Sequence, residues 1–168
     1  GLVGSEMCIR DRLSDVKDSK KLSPKKREEI YERVKDNKIE SSISECSNLY
    51  IDQNGISVSN KEVLFNSIKK LYQKSDKVYV DHFKIDKFGS ISLVRGEDNS
   101  YSIALASIIA KVYRDNLMVD FGSKYPQYLF EKNKGYGTRE HLNMIQKYGV
   151  CDIHRLSFNL GPTQQPQA

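Results

Sequence analysis

Lys77-Val78-Tyr79-Val80-Asp81 decides how the rest of this chain is read. Val78-Tyr79-Val80 is a short apolar run of β-branched and aromatic residues, the composition of a buried strand, and it delivers a carboxylate at its carboxyl end. Asp86-Lys87-Phe88-Gly89 then has turn composition, and Ser90 to Val94 reads as a second strand that runs straight into Arg95-Gly96-Glu97-Asp98. The longest helix is expected from about Ser102 to Phe121, with Ile103, Ala106, Ile109, Ala110, Tyr113 and Leu117 as its buried stripe. Its first half is rich in Ala, so another element can approach closely. Upstream, Ser23-Pro24 has the chemistry of a helix start, a capping hydroxyl followed by a residue with helical φ. That helix should reach Asp36 with Ile30, Tyr31 and Val34 inward. Ile39 to Cys46 is expected as a strand and Asp52-Gln53-Asn54-Gly55 as a turn. A helix from about Asn60 to Tyr72 carries Val63, Leu64, Ile68 and Leu71 at helical spacing. Beyond a basic and aromatic loop, Tyr125 to Gly137, Thr138 caps a last helix that stops at Gly149. Strands and helices mixed in this way, with no repeats and no linker, make one α/β domain.

Composition bounds the function classes. A chain of 168 residues with 38% apolar and 29% charged residues can bury a core and is not of disordered composition. Three cysteines, Cys8, Cys46 and Cys151, are too few and too scattered for a disulfide framework or a zinc site, and read as reduced thiols of a cytoplasmic protein. No apolar run approaches the ~20 residues of a membrane span. A net charge of +5 fits a polyanionic partner. Residues 1–12 have neither helical nor strand periodicity and read as a non-native segment, one frame of an adapter used in preparing sequencing libraries. The domain is therefore expected over residues 13–160, followed by a disordered tail over residues 161–168.

Carboxylates at strand ends lie where α/β proteins bind ligands. Asp81 alone would pass as a surface aspartate, but Glu97 and Asp98 follow the next strand. Acidic groups from adjacent strand ends can share a Mg²⁺ or Mn²⁺, which takes oxygen ligands and keeps waters that a phosphate can displace. Glu97 and Asp98 also suit the positive end of a helix dipole, and the two readings are compatible. Around them lie groups that suit a nucleic acid. Lys20 and Lys21 flank Ser19, Lys132, Lys134 and Arg139 surround Gly135-Tyr136-Gly137, and His154-Arg155 precedes Ser157-Phe158. Basic side chains contact phosphates, glycines let the backbone approach, and an exposed tyrosine stacks on a sugar or base.

These residues resemble ribonuclease HII. The resemblance rests on Asp18-Ser19-Lys20-Lys21-Leu22-Ser23, the strand ending in Asp81, Arg95-Gly96-Glu97, the run Ala106 to Asp115, Lys134-Gly135-Tyr136-Gly137-Thr138, and His154-Arg155 with Ser157-Phe158. It covers about Leu13 to Leu160. It implies a ribonuclease H-like sheet flanked by helices with a small helical carboxyl-terminal part. It also implies hydrolysis of RNA in RNA–DNA hybrids and incision 5′ of ribonucleotides embedded in duplex DNA. Two Mn²⁺ or Mg²⁺ ions would serve this chemistry, giving a 5′-phosphate and a 3′-hydroxyl. Asp81 matches a catalytic carboxylate, and Glu97 stands where most members have Asp, with Asp98 as an alternative metal ligand. Tyr136 matches the tyrosine that reads the ribose-to-deoxyribose junction, with Lys134, Gly135 and Gly137 shaping its loop. Ser19, Lys20 and Lys21 match a phosphate-contacting segment, and Arg155 and Ser157 belong to the final substrate-binding motif. Asp115, beside Arg114 on a helix, suits a structural ion pair.

Three departures matter. His82-Phe83 stands where the family often has Gly-Asn, and Leu156 replaces a basic residue. The family's first strand, with an Asp-Glu pair and a Gly-Arg-Gly loop, has no counterpart, so this chain is expected to bind hybrid weakly and cleave it negligibly. Two alternatives share many of these features. A ribonuclease HIII-type enzyme would have glutamate as its fourth carboxylate, and a non-catalytic hybrid-binding module would use Tyr136 and the lysines without metal. A monomer is expected.

Overall fold

The computed structural model describes residues 16, 22–73 and 77–161. The first dozen residues, the Ser19-Lys20-Lys21 segment and the tail beyond residue 161 lie outside the described residues. The elements in order are α1 (Pro24–Asp36), α2 (Asn48–Asn54), α3 (Ile56–Leu71), β1 (Tyr79–Asp81), β2 (Ile91–Leu93), α4 (Gly96–Asn99), α5 (Tyr101–Lys124), α6 (Phe130–Asn133) and α7 (Arg139–Tyr148). The fold is mixed α/β, with helices around a small parallel sheet. The described residues form two compact units. One draws on the chain up to Cys46 and on Ser57–Val112, the other on Ser47–Ile56 and the chain from Tyr113. Helix α5 contributes to both.

The first unit packs α1 against the amino-terminal half of α5. Ser23 accepts the N–H of Lys26 at 3.2 Å and Pro24 occupies the first turn, as the sequence indicates. Ile30 and Val34 of α1 meet Ala104, Leu105, Ile108, Ile109 and Val112 of α5, with Tyr31 packed alongside. A second cluster gathers Ile68 of α3, Val80 of β1 and Ile85, with Phe88 tilted against Phe65 and Tyr72. β1 and β2 pair in parallel, Tyr79 with Ile91, Val80 with Ser92 and Asp81 with Leu93. Their connection, residues 82–90, is shorter than the roughly one dozen residues that parallel neighbours ordinarily need. It manages this with a 3₁₀ turn at Asp86–Phe88 closed by Gly89 at φ +57°, while Ser90 Oγ accepts the N–H of Ile85 at 2.7 Å.

The second unit is organised by Tyr128, Phe130 and Ile145, with Met118, Phe121, Leu142, Ile153 and Leu160 packed around them. α7 is capped as expected, Thr138 accepting the N–H of His141 at 3.2 Å and Gly149 ending the helix at φ +78°.

Four expectations need correction. Ile39 to Cys46 forms no strand among the described residues beyond an isolated bridge at Ser41. Asp52-Gln53-Asn54-Gly55 is the end of α2, whose start is capped by Ser47 accepting the N–H of Tyr50 at 3.1 Å. Gly55 at φ +79° then separates α2 from α3, which begins at Ile56 instead of Asn60. The buried stripe of α5 is also partly rotated from the expected one, for Ile103 and Ile109 are buried as expected but the small residues are not. Leu105, Ile108 and Val112 face α1, whereas Ala106 is half-buried and Ala110 exposed. The small-residue face, Ala106 and Ala110, borders a cavity.

Leu105 is fully buried between α1 and its own helix. Leu105→Ala is expected to cost about 2–5 kcal/mol through lost transfer energy and a residual cavity. In urea titrations this lowers the midpoint without changing the slope; an unchanged midpoint would exclude this packing.

Candidate active site and substrate-contact loops

Asp81 is carried to the end of β1, and its Oδ1 accepts the N–H of Gly96 at 2.8 Å. This bond joins the exit of β1 to the first residue of α4, which follows β2. A side chain at 96 has no room, because a Cβ there would lie 2.6 Å from Ile103 Cδ1 and 3.2 Å from Asp81 Oδ1. The flanking backbone is bent on both sides, with His82 at φ +60° and Arg95 at φ +53°, a region that L residues enter at a cost. Position 82 is thus one where glycine would be relaxed and histidine is strained. Glu97 follows Gly96, and its Oε1 accepts the hydroxyl of Ser107 from α5 at 2.8 Å.

Both carboxylates border one cavity of about 630 Å³. Its other walls include Ser41–Ser44, the strand residues up to Asp81, and Ile103, Ala106 and Ala110 of α5. Asp98 is exposed and does not line it. Asp81 and Glu97 are hard oxygen donors of the kind Mg²⁺ or Mn²⁺ takes. Among the described residues no group of three or more His, Cys, Asp or Glu is gathered to hold an ion.

In the second unit, Lys134-Gly135-Tyr136-Gly137 forms a tight loop. Lys134 and Gly135 both have positive φ, +52° and +71°. Gly135 N donates to Asn133 Oδ1 at 2.8 Å and Tyr136 N to Asn133 O at 2.9 Å. Lys134 Nζ reaches Asp115 O at 3.4 Å, a contact to Asp115's backbone. Tyr136 is 55% exposed beneath the guanidinium of Arg114. Arg155 lies over the Phe158 ring at 4.0 Å; burial, then the like charge of Arg114, holds its pKa below the ordinary arginine value.

Ser157 is engaged within the chain. Its N–H and hydroxyl donate to Asp52 Oδ1 at 2.9 and 2.6 Å, and Leu156 N donates to Oδ2 at 2.9 Å. These bonds, that of the Ser157 hydroxyl above all, lower the pKa of Asp52. Asn48 Nδ2 donates to the carbonyls of Asp152 and His154, so α2 staples the final motif from two positions. Sequence reasoning missed this helix and both side chains. The available signal was Ser47, a capping residue immediately ahead of Asn48.

His141 and His154 stack at 5.4 Å within the aromatic cluster of Tyr128 and Phe130. Both are buried, and His154 Nε2 has no hydrogen-bond partner among the described residues. His141 Nδ1 lies 3.1 Å from Asn133 Nδ2, the residue that braces the Tyr136 loop. Burial lowers the pKa of both imidazoles, and the neighbouring His141 lowers that of His154 further.

Residues 9–160 match the family model described as Ribonuclease HII. The chain is 44% identical to a Ribonuclease HII of Caldicellulosiruptor bescii, covering 94% of this chain and 79% of that protein. It is 46% identical to a Ribonuclease HII of Clostridium perfringens over 89% of this chain, which spans only 56% of that longer relative. A Ribonuclease HII of a Sulfurihydrogenibium species is 44% identical over 86% of this chain and 74% of its own length.

Two outcomes follow from the geometry. Gly96→Ala should destabilise the first unit by about 1–3 kcal/mol through overpacking against Ile103 and Asp81; an unchanged melting curve would contradict the contact. The histidines act through pH. Above the ordinary value of 6.5 both folded and unfolded imidazoles are neutral, and the packing is fully stabilising. As pH falls, the unfolded chain takes up protons that the folded pair resists, so stability is lost progressively towards the lowered folded values. Denaturation midpoints should therefore fall between about pH 7 and pH 5, and His154→Gln, which keeps an acceptor for the Cys151 N–H, should flatten that slope.

Proposed function

The chain belongs to the ribonuclease HII family, RNA–DNA hybrid endonucleases of the hydrolase class, and on that premise we propose that its site serves hydrolysis of RNA paired with DNA and incision 5′ of ribonucleotides embedded in duplex DNA. The observation that carries this reading is the convergence of Asp81 and Glu97 on one cavity from the ends of two paired strands. Asp81 and Glu97 would hold divalent ions, Mg²⁺ or Mn²⁺, which when bound supply activation of water and stabilisation of the leaving 3′-oxygen. Glu97 is favoured over Asp98 as ligand, because Glu97 borders the cavity and is oriented by Ser107.

The chain's own groups do the rest of the work. Gly96 N and Ser107 Oγ hold the two carboxylates before any ion arrives, so little reorganisation is left for binding. Tyr136 and Lys134 supply a ring and a cation for the sugar and the phosphate, and Arg155 adds a second cation. Ser157 contributes through the shape of its loop, since its hydroxyl is already given to Asp52. Ser19, Lys20 and Lys21 complete the phosphate contacts. The products are a 5′-phosphate and a 3′-hydroxyl, consistent with roles in replication and in ribonucleotide excision repair. The unpaired thiols of Cys46 and Cys151 fit a cytoplasmic protein, and a monomer suffices.

Among the described residues the cavity has two carboxylates, fewer than a two-ion site requires, since ions ~3.5–4 Å apart draw ligands from several strands. This chain by itself is therefore expected to bind a duplex carrying one ribonucleotide weakly and to cleave it negligibly in Mn²⁺. Gel assays of the chain and of Asp81→Asn check this. Robust cleavage that disappears in Asp81→Asn would mean the ligand set is complete here, and the claim of inactivity would be wrong.

A further inference from the structure

We propose that Arg114 is a positioning residue that fixes Tyr136 for reading the sugar at a ribose-to-deoxyribose boundary, a role that rests on the hybrid-cleaving reading above. Arg114 lies on α5 with its guanidinium carbon 4.5 Å from the centre of the Tyr136 ring. The same guanidinium donates from Nη2 to Lys134 O at 2.8 Å. One rigid planar group therefore stacks on the ring and bonds the backbone two residues before it, a combination that a lysine does not reproduce. The loop below is preset by Asn133 Oδ1 on the N–H of Gly135 and by the left-handed backbone at Lys134 and Gly135. It lies so close to α5 that a Cβ on Gly135 would be 3.2 Å from Met118 Sδ.

An exposed tyrosine beside glycines would ordinarily sample several staggered χ1 wells. Here Arg114 covers one face of the ring while more than half of the residue stays in solvent. Ribose and deoxyribose differ by one hydroxyl, so a ring that distinguishes them must meet the sugar at a fixed distance and angle.

The test uses the full chain and the variants Arg114→Lys, Arg114→Ala and Tyr136→Phe. Fluorescence anisotropy measures affinity for a DNA duplex with one ribonucleotide and for the same duplex without it. The wild type should prefer the ribonucleotide duplex. Arg114→Ala should reduce that preference about three- to five-fold, the scale of an exposed cation–π contact, with Arg114→Lys between the two. In parallel, ¹³C-tyrosine spectra follow the Tyr136 ring, identified by its absence in Tyr136→Phe. Its signals should shift towards averaged values in Arg114→Ala while the other tyrosines keep theirs. An equal loss of affinity for both duplexes would make Arg114 a phosphate contact and overturn the proposal. Unchanged Tyr136 signals would overturn it too, because no clamp would exist. A wild type without preference, in a chain whose Tyr136 signals do respond to Arg114, would instead sink the hybrid-reading function, and the sugar-reading role of Arg114 with it.

Discussion

Asp81 Oδ1 accepts the N–H of Gly96 at 2.8 Å, and the arrangement of the first unit depends on that bond. It ties the last residue of β1 to the chain leaving β2, so two strand ends that are only three residues long stay in register. The approach leaves no space for a Cβ at position 96, which explains why glycine precedes Glu97. It also obliges the neighbouring backbone to turn sharply at His82 and Arg95, where neither residue has the conformational freedom of glycine. Backbone strain of this kind persists where surrounding contacts over-determine it, and here it brackets the two carboxylates.

The helix that follows serves both units. The amino-terminal part of α5 supplies Leu105, Ile108 and Val112 to the core with α1, and Ser107 to Glu97. Further along, the same helix carries Arg114 and Met118 to the Tyr136 loop. Carboxylates and the Tyr136 loop are thus each braced from a regular element, which gives them better-defined positions than loop residues alone would have. In the second unit α2 does comparable work for the final motif, with Asn48 on two carbonyls and Asp52 on the amides of Leu156 and Ser157.

Much of this was legible in the chain itself. Ser23-Pro24, Thr138 and Gly149 mark helix ends by chemistry that acts within three or four residues, and the apolar run ending in Asp81 marks a strand by composition alone. The expected stripe on α5 was partly rotated because Ala and Leu are both apolar, and periodicity does not say which of two apolar faces meets the larger partner. Asp52-Gln53-Asn54-Gly55 reads as a turn because those residue types suit both a turn and the end of a helix. Ile39 to Cys46 has strand composition, but a strand exists only where a neighbour offers a ladder.

By itself, then, the sequence determined the local elements, the family and the carboxylates at the strand ends, since those depend on residue type and short spacing. Only tertiary structure decided that Glu97, not Asp98, borders the cavity with Asp81. It alone decided that Ser157 is spent on Asp52, 105 residues away, and that Arg114 lies over Tyr136. Those pairings are set by which faces of distant helices come to rest together, and no short-range preference of the chain encodes them.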